Sequence, residues 1–574
     1  MRVFNAQDLA ISKEIPMIKI NLKIEPRGEY REMEVAPGTT IETLYKQVQD
    51  EMPYTALMAR LDNQYASLLH VLEEDNDGSY VDLLDMRTHV ADHAYQSTLV
   101  MITLVAMKNV LPEAKVVVDN SLNRGLYLSI NKDGQPTEEE AAQVQAEMRR
   151  LVDADMPILR HMVDTDVYIR SAEKLGRTGK ARLLRQFPEQ KSHMVYELDG
   201  YIDYVFGPMA PSTGYIQYFE FIPYKYGALV RFPLPKEPDR LPERVDQQKL
   251  YNAFGKRKIW DRILGIEYAA GLNERIADGS YRELILLSEA LHEKEIVEIA
   301  RAIKQQKKRI VLIAGPSSSG KTTFAKRLCI QLKVLGLDPL YMGTDDYFVE
   351  RKDTPLDEHG EPDYENLEAI DLELFNRNMN DLLAGKEVDL PTFDFMEGKK
   401  VFGKRLTKLN SNQMLVIEGI HALNEAMTSQ IPRAHKYKVY ISPLTQLNID
   451  ENTRVPTTDE RMLRRMVRDY QFRGHSAADT IRDWPKVRAG EDRNIFPFSE
   501  EADVLFNSYY DYEIAVLKKY AEPLLQEIRP DQPEYAEAMR ILKFFEPIKI
   551  IEDDSQIANN SILREFIGGS VFVE

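Results

Sequence analysis

Apolar residues along this chain change their period several times, and each change predicts an element. Alternation in MIKINLKIEP (Ile18, Ile20, Leu22, Ile24) predicts a half-buried strand. Pro37-Gly38-Thr39-Thr40 then predicts a turn into a helix, with Thr39 or Thr40 as N-cap and Glu42 in the first turn. YQSTLVMITLVAMKNV predicts a buried helix, broken at Pro112 and followed by strands. The polar, Pro-rich PLPKEPDRLPER marks a boundary, after which ELILLSEALHEKEIVEIARAIKQQKKR has apolar positions at helical spacing and a basic end. Its last residues, Lys304 to Arg309, suit a solvated helix C-terminus, where cations favour the dipole. Ile310 to Ala314 is a continuous apolar run of strand length, and Phe324, Leu328 and Leu332 then recur every four residues. PLYMGT and LVIEGIHAL are further buried strands, each running into an acidic residue. ERMLRRMVRDYQFRG is helical, and NSILREFIGGSVF predicts a short apolar helix with a tightly packed end.

Length and charge limit what these elements build. A chain of 574 residues is too long for one core, and about 150 residues per domain suggests three or four domains. The formal net charge of −18 argues against a protein built as a whole to hold nucleic acid. One cysteine, Cys329, excludes an internal disulfide framework and a Cys-rich zinc site. The N-terminal stretch lacks a signal-peptide core. The most apolar stretch, Thr98 to Met107, is about half the length a membrane helix needs. A soluble cytoplasmic protein with no membrane segment is therefore expected.

The densest chemistry lies between the apolar run ending at Ala314 and the helix after it. Gly315-Pro316-Ser317-Ser318-Ser319-Gly320-Lys321-Thr322 fits G-x-x-x-x-G-K-[ST], with Thr323 following. Glycines let successive N–H groups turn inward toward phosphate oxygens, and the helix N-terminus adds partial positive charge. Lys321 supplies a cation for the β/γ-phosphates and Thr322 a hydroxyl for Mg²⁺. Asp345 and Asp346 follow the second strand, where the carboxyl ends of a parallel sheet face the ligand crevice. Asp345 is the expected base for a hydroxyl acceptor, with Asp346 as a cap or an outer group of a Mg²⁺ site. Glu418, ending another strand, suits Mg²⁺ directly or through water. Arg461, Arg464, Arg465, Arg468 and Arg473 cluster on one helix. Glu460, Arg464 and Arg468 at four-residue spacing allow a salt-bridged exposed helix. The upstream phosphate site favours a lid that closes on a phosphoryl group.

The order GPSSSGKTT, DDYF, YENLEAID, PTFDF, IEGIHAL, RRMVRD–RG and EADVLFNS resembles the uridine kinase and phosphoribulokinase family over about residues 306–515. The resemblance implies ATP and Mg²⁺, with Asp345, Lys321, Arg468 and Arg473 catalytic. It implies Gly315, Ser317 to Thr323 on ATP, and Thr322 with Glu418 on Mg²⁺. Glu365 falls where the family holds ribose hydroxyls, Phe393 and Phe395 beside the base, and Arg465 near the nucleoside. Gly398 and His475 stand where uridine–cytidine kinases have a His and an Arg near the pyrimidine, so base specificity is open. The P-G-T-T module resembles the TGS domain of threonyl-tRNA synthetases. Residues from about Thr88 to Pro233 resemble the second N-terminal domain of those enzymes, which hydrolyses mischarged tRNA. That domain's four zinc-ligand positions hold Tyr95, Leu99, Val205 and Met209 here, so a kept scaffold without its zinc chemistry is expected. His89 and His93 sit four apart without a second pair, which suits a solvated or capping role.

The expected architecture is α/β: a parallel-sheet P-loop kinase domain (306–529) behind a ubiquitin-like α+β TGS-type module (1–86) and an α+β editing-like domain (87–233). A helical connector (234–305) and a C-terminal docking tail (530–574) complete it. The expected activity is transfer from ATP to a sugar hydroxyl of a nucleoside, with RNA or nucleoside sensing by the N-terminal domains. An RNA-associated regulator using ATP as a switch and a sugar-phosphate kinase remain as rivals. The oligomeric state is open, a homo-oligomer included.

Overall fold

The computed structural model describes residues 17–26, 28–356, 360, 362–394 and 396–573. Residues 1–16, read above as lacking a signal-peptide core, and the candidate Phe395 lie outside the described residues.

Ile18, Ile20 and Leu22 are buried on one face of the strand Ile18–Lys23, as their alternation requires. This strand pairs with Arg31–Val35 and Tyr80–Asp85 in a five-stranded sheet completed by Ala56–Leu61 and Gln64–Ser67. Helix Ile41–Val48 lies in the same unit, and its N-cap is Thr40, whose hydroxyl accepts from Thr43 N at 3.2 Å.

Helix His89–Val110 is buried along almost its whole length. It packs with helix Glu138–Asp153 near a four-stranded antiparallel sheet ordered Glu220–Tyr224, Gly227–Arg231, Gly125–Asn131, Lys115–Leu122. Tyr95, Leu99 and Met209 are buried in one apolar cluster, with Val205 against it. The Tyr95 hydroxyl donates to Tyr218 O at 2.6 Å and accepts from Tyr218 N at 3.0 Å. The four positions thus build core. The two histidines correct the expectation of solvated side chains. His89 opens the helix and bridges Glu537 at 3.3 Å and Asp459 at 3.8 Å, while His93 stacks on it with ring centroids 4.2 Å apart. Burial drives the His93 imidazole well below its ordinary pKa.

Residues 234–305 carry helices Gln248–Leu264, Ala269–Asp278 and Tyr281–Gln305. The apolar stripe of the last one, Ile285, Ile296, Ile299 and Ile303, shares a core with Phe324, Leu328 and Leu332. Its basic end binds carbonyls: Lys304 reaches Leu335 O at 2.7 Å, and Arg309 reaches Gln413 O at 3.1 Å.

The second half is built on a fully parallel sheet ordered Asp338–Gly343, Gln413–Glu418, Ile310–Ala314, Lys436–Ser442, Val504–Asn507. Ile310–Ala314 is buried at every residue because both its neighbours and the helices on each face cover it. The strand order reverses direction beside this central strand, which places the ligand crevice at its carboxyl end. The loop between Ser442 and Thr457 leaves this sheet and enters the N-terminal half. Its Glu451 accepts from Gly179 N at 2.6 Å and Lys180 N at 3.1 Å, and its Asn448 donates to Val118 O at 2.9 Å. Among the described residues no helix is long and apolar enough to cross a membrane.

A phenol tied to a backbone carbonyl and three packed apolar side chains cannot assemble tetrahedral zinc. Elemental analysis of the purified full-length protein should therefore show no stoichiometric zinc after dialysis. One tightly held equivalent that is lost on mutating residues 89–99 would contradict this reading.

Candidate functional site

The phosphate loop starts where Ile310–Ala314 ends, and its backbone needs its glycines. A Cβ at Gly315 would overlap the Ile441 carbonyl, and Gly320 is held at φ +82°. Ser318 also takes a positive φ of +60°, so the loop carries local strain. Helix Lys321–Val334 follows directly. Lys321 Nζ donates to Gly315 O at 3.0 Å and Pro316 O at 3.2 Å. The buried Ser318 and Ser319 hydroxyls have no hydrogen-bond partner within the protein.

Helix Thr457–Arg473 packs against this loop, and its arginines divide into two sets. Arg461 and Arg464 are fully buried, which removes the exposed-helix reading of Glu460 and Arg464. Arg461 pairs with Glu491, with Nη2 to Oε2 at 2.7 Å, and donates to Ser317 O at 3.1 Å. Glu491 in turn accepts from Ser317 N at 2.9 Å. Burial works against the Glu491 charge, yet Arg461 and Arg488 hold its carboxyl below the usual range. Arg464 makes a bidentate pair with Glu513 at 2.7 and 2.6 Å and donates to Ser318 O at 3.3 Å and Ser508 O at 2.9 Å. The second set faces the crevice. Arg465 Nη1 donates to Ser317 Oγ at 3.0 Å. Arg465, Arg468 and Arg473 lie 3.3, 2.7 and 3.5 Å from one shared carboxylate, Asp469. Burial and the repulsion of Arg468 push the Arg465 guanidinium pKa down, while Arg473 is exposed to solvent. Such a cluster attracts an anion.

On the other side of the loop, Thr322 Oγ1 donates to Glu418 Oε1 at 2.8 Å and Tyr341 OH donates to the same oxygen at 3.0 Å. A hydroxyl and a carboxylate at this spacing form the hard oxygen donor set that Mg²⁺ takes. Asp345 sits after strand Asp338–Gly343. Desolvation by the surrounding chain first, then Glu418 and Asp346, raise its carboxyl to about 6, opposed by Lys321, although the residue keeps an edge exposed to solvent. Asp346 is tied to Arg405 at 2.5 Å and accepts from Phe393 N at 3.4 Å, a positioning contact that separates the two neighbours.

Glu365 is half-buried, and burial together with Glu491 raises its pKa against the pull of Lys321 and Arg465. Phe393 is buried against Phe348 with centroids 5.7 Å apart, and Phe348 meets Tyr364 at 5.8 Å, forming an aromatic wall. His475 is exposed beyond Gly474, with its backbone N–H on Asp469 O at 3.1 Å. Gly398 takes φ +67°, and a Cβ there would overlap the Arg351 side chain, which occupies that space. Glu491, Glu513, Tyr341 and Arg351 were not read from the sequence as site residues. Only Tyr341 carried a signal, facing the end of a strand that delivers Asp345.

These features define a P-loop α/β domain with a phosphate-binding crevice at the carboxyl end of its sheet. Residues 310–515 match the Phosphoribulokinase / Uridine kinase family, so the chain carries a domain of that family. A uridine kinase from Ligilactobacillus salivarius is 26% identical over 217 residues, 38% of this chain and 92% of that protein. A threonine–tRNA ligase from Symbiobacterium thermophilum is 28% identical over 197 residues, 34% of this chain and 30% of the ligase. This second likeness belongs to the N-terminal region, and the chain spans about a third of the ligase's length. A solved structure titled "Structure of a Possible Uridine Kinase from Bacillus stearothermophilus" is 20% identical, covering 37% of this chain and 98% of that one, with a TM-score of 0.26.

Arg464→Met should cost about 3–5 kcal/mol of unfolding free energy, because it strands Glu513 and Glu460 in the core. Arg465→Met, at a partly exposed pair, should cost about 1 kcal/mol or less. Chemical denaturation of the two variants checks this, and equal losses would contradict the division of the arginines.

Proposed function

We propose that this protein is an ATP-dependent kinase that phosphorylates a sugar hydroxyl of a nucleoside. One observation carries the reading. The Asp345 carboxyl, solvent-accessible at the end of strand Asp338–Gly343 and pushed up to about 6, lies within electrostatic reach of Lys321 and Glu418. A nucleotide switch needs the loop alone, whereas an acceptor-side base serves transfer.

In this mechanism the loop N–H groups from Ser318 to Thr323, with the close-packed Gly315 and Gly320, receive the polyphosphate of ATP while the Ser317 N–H stays on Glu491, and Lys321 leaves its two carbonyls for the β/γ-oxygens. Thr322 and Glu418 would hold Mg²⁺, which would supply positive charge to neutralise the transferring phosphate. Asp345 takes the proton of the attacking hydroxyl while Arg468 and Arg473 balance the charge spread over the phosphoryl oxygens. Glu365 receives ribose hydroxyls, beside Arg465. Phe393 contributes an aromatic wall, with Phe395 next in sequence. Arg351, standing over Gly398, supplies a cationic donor to the base edge in place of the family's His, and His475 borders the same mouth. The N-terminal half, a TGS-type module and an editing-like scaffold, acts as a sensor of a nucleoside or an RNA end. What favours this is the loop carrying Glu451 and Asn448, which ties that half to the start of the arginine helix. The protein's setting is cytoplasmic, and self-association is compatible with this scheme.

Asp345→Asn should lower turnover about 10²–10⁴-fold while nucleotide binding persists. Only ionised Asp345 accepts a proton, so kcat/KM for the acceptor should fall as pH drops through about 6, and Asp345→Asn should abolish that limb. A limb unchanged in Asp345→Asn, or loss of turnover in Asp346→Asn alone, would reverse the assignment. Lys321→Ala should cost at least about 10²-fold in rate. Replacement of the family's His and Arg should weaken preference for uridine and cytidine over purine nucleosides. Steady-state kinetics across nucleosides check this, and a strong preference of the unaltered protein for uridine and cytidine over purine nucleosides would contradict it.

A further inference from the structure

The last segment of the chain takes no part in the mechanism above, yet it lies on the phosphate loop. Ile562, Leu563 and Phe566 are fully buried. Ile562 fills the space in front of Gly320, and the Phe566 ring lies 4.9 Å from the Arg464 guanidinium. From this anchored stretch Glu565 reaches the start of helix Lys321–Val334. Its Oε2 accepts from Thr323 N at 3.1 Å and from Thr323 Oγ1 at 2.7 Å, and the residue is only 8% exposed. Thr323 N–H is one of the first-turn donors that no helical carbonyl can satisfy. In a loop whose lysine serves the β/γ-phosphates, the donor two residues further into the helix falls to the phosphate nearest the nucleoside. A carboxylate on that amide and hydroxyl presents the same charge and the same acceptor oxygens as a phosphate. Arg473 of the crevice set also feels the Glu565 charge, and Gly568 and Gly569 follow in the left-handed region.

We propose that Glu565 is a built-in stand-in for the α-phosphate of the bound nucleotide, so that the C-terminal segment competes with ATP and sets its apparent affinity. The inference rests on the reading of this loop as a nucleotide site. Ile562, Leu563 and Phe566 keep the segment docked, and only the Glu565 side chain leaves as nucleotide enters. The affinity observed is then the intrinsic one scaled by the fraction of molecules in which Thr323 is free. A carboxylate that merely stabilised the helix start would have the opposite consequence, because its removal would loosen the loop.

Calorimetry of the full-length protein with Mg·ADP and a non-hydrolysable ATP analogue separates these cases. Glu565→Gln, which keeps the side chain's volume, and Glu565→Ala should each bind nucleotide about tenfold more tightly than the unaltered chain, the scale of one charge-assisted hydrogen bond. Unchanged or weaker binding by folded Glu565→Gln overturns the competitor while leaving the nucleotide site standing. Absence of nucleotide binding in the unaltered chain and in both variants overturns the nucleotide site and the competitor together. Should Glu565→Ala fail to fold, Glu565→Gln alone decides.

Discussion

Two buried guanidinium–carboxylate pairs hold the phosphate loop in a shape it would not keep alone. With Ser318 and Gly320 at positive φ, and hydroxyls at Ser318 and Ser319 lacking partners, the loop is strained and under-bonded. Arg461 with Glu491 grips Ser317 from behind, and Arg464 with Glu513 grips Ser318 and Ser508. The Ser317 and Ser318 carbonyls are thereby turned to the arginines and the Ser317 N–H to Glu491, leaving N–H groups after Ser317 for an anion. Buried pairs of this kind add little stability over apolar packing, but they are stiff and directional. Preorganised donors are what phosphoryl transfer uses, since there is little covalent chemistry for the protein to perform.

The same helix carries the loop brace and the crevice cations, so anything that shifts it moves both. Its N-terminal end is where the two halves of the chain meet. Asp459 in its first turn is paired with Arg540 at 2.9 Å and approached by His89 from the N-terminal half. The preceding loop is bonded to Gly179, Lys180 and Val118. Hydrogen bonds of ordinary length thus link the N-terminal half to the start of this helix. This is a physical connection, and coupling through it depends on the helix having a second position.

Much of the crevice was legible because one topological rule orders it. Thr322, Asp345 and Glu418 each follow the carboxyl end of an apolar run, and parallel strands bring those ends together. The alternation of Ile18, Ile20 and Leu22 and the four-residue spacing of Phe324, Leu328 and Leu332 likewise became buried faces. What period cannot carry is pairing at long range. Arg464 and Arg465 are adjacent and chemically alike, and only the packing of Glu513 decides that one is core and the other faces the crevice. Glu565 and Thr323 are 242 residues apart, with no local pattern to join them. The local pattern suggests a solvated or capping role for His89 and His93 because the partners of His89, Asp459 and Glu537, lie far along the chain, and His93 stacks on His89.

Transfer of label from γ-labelled ATP to a panel of nucleosides, with the full-length protein and Mg²⁺, should give a labelled nucleoside monophosphate whose formation needs Lys321 and Asp345. ATP hydrolysis without labelled nucleoside, unaffected by Asp345→Asn, would contradict this and leave the loop as a switch.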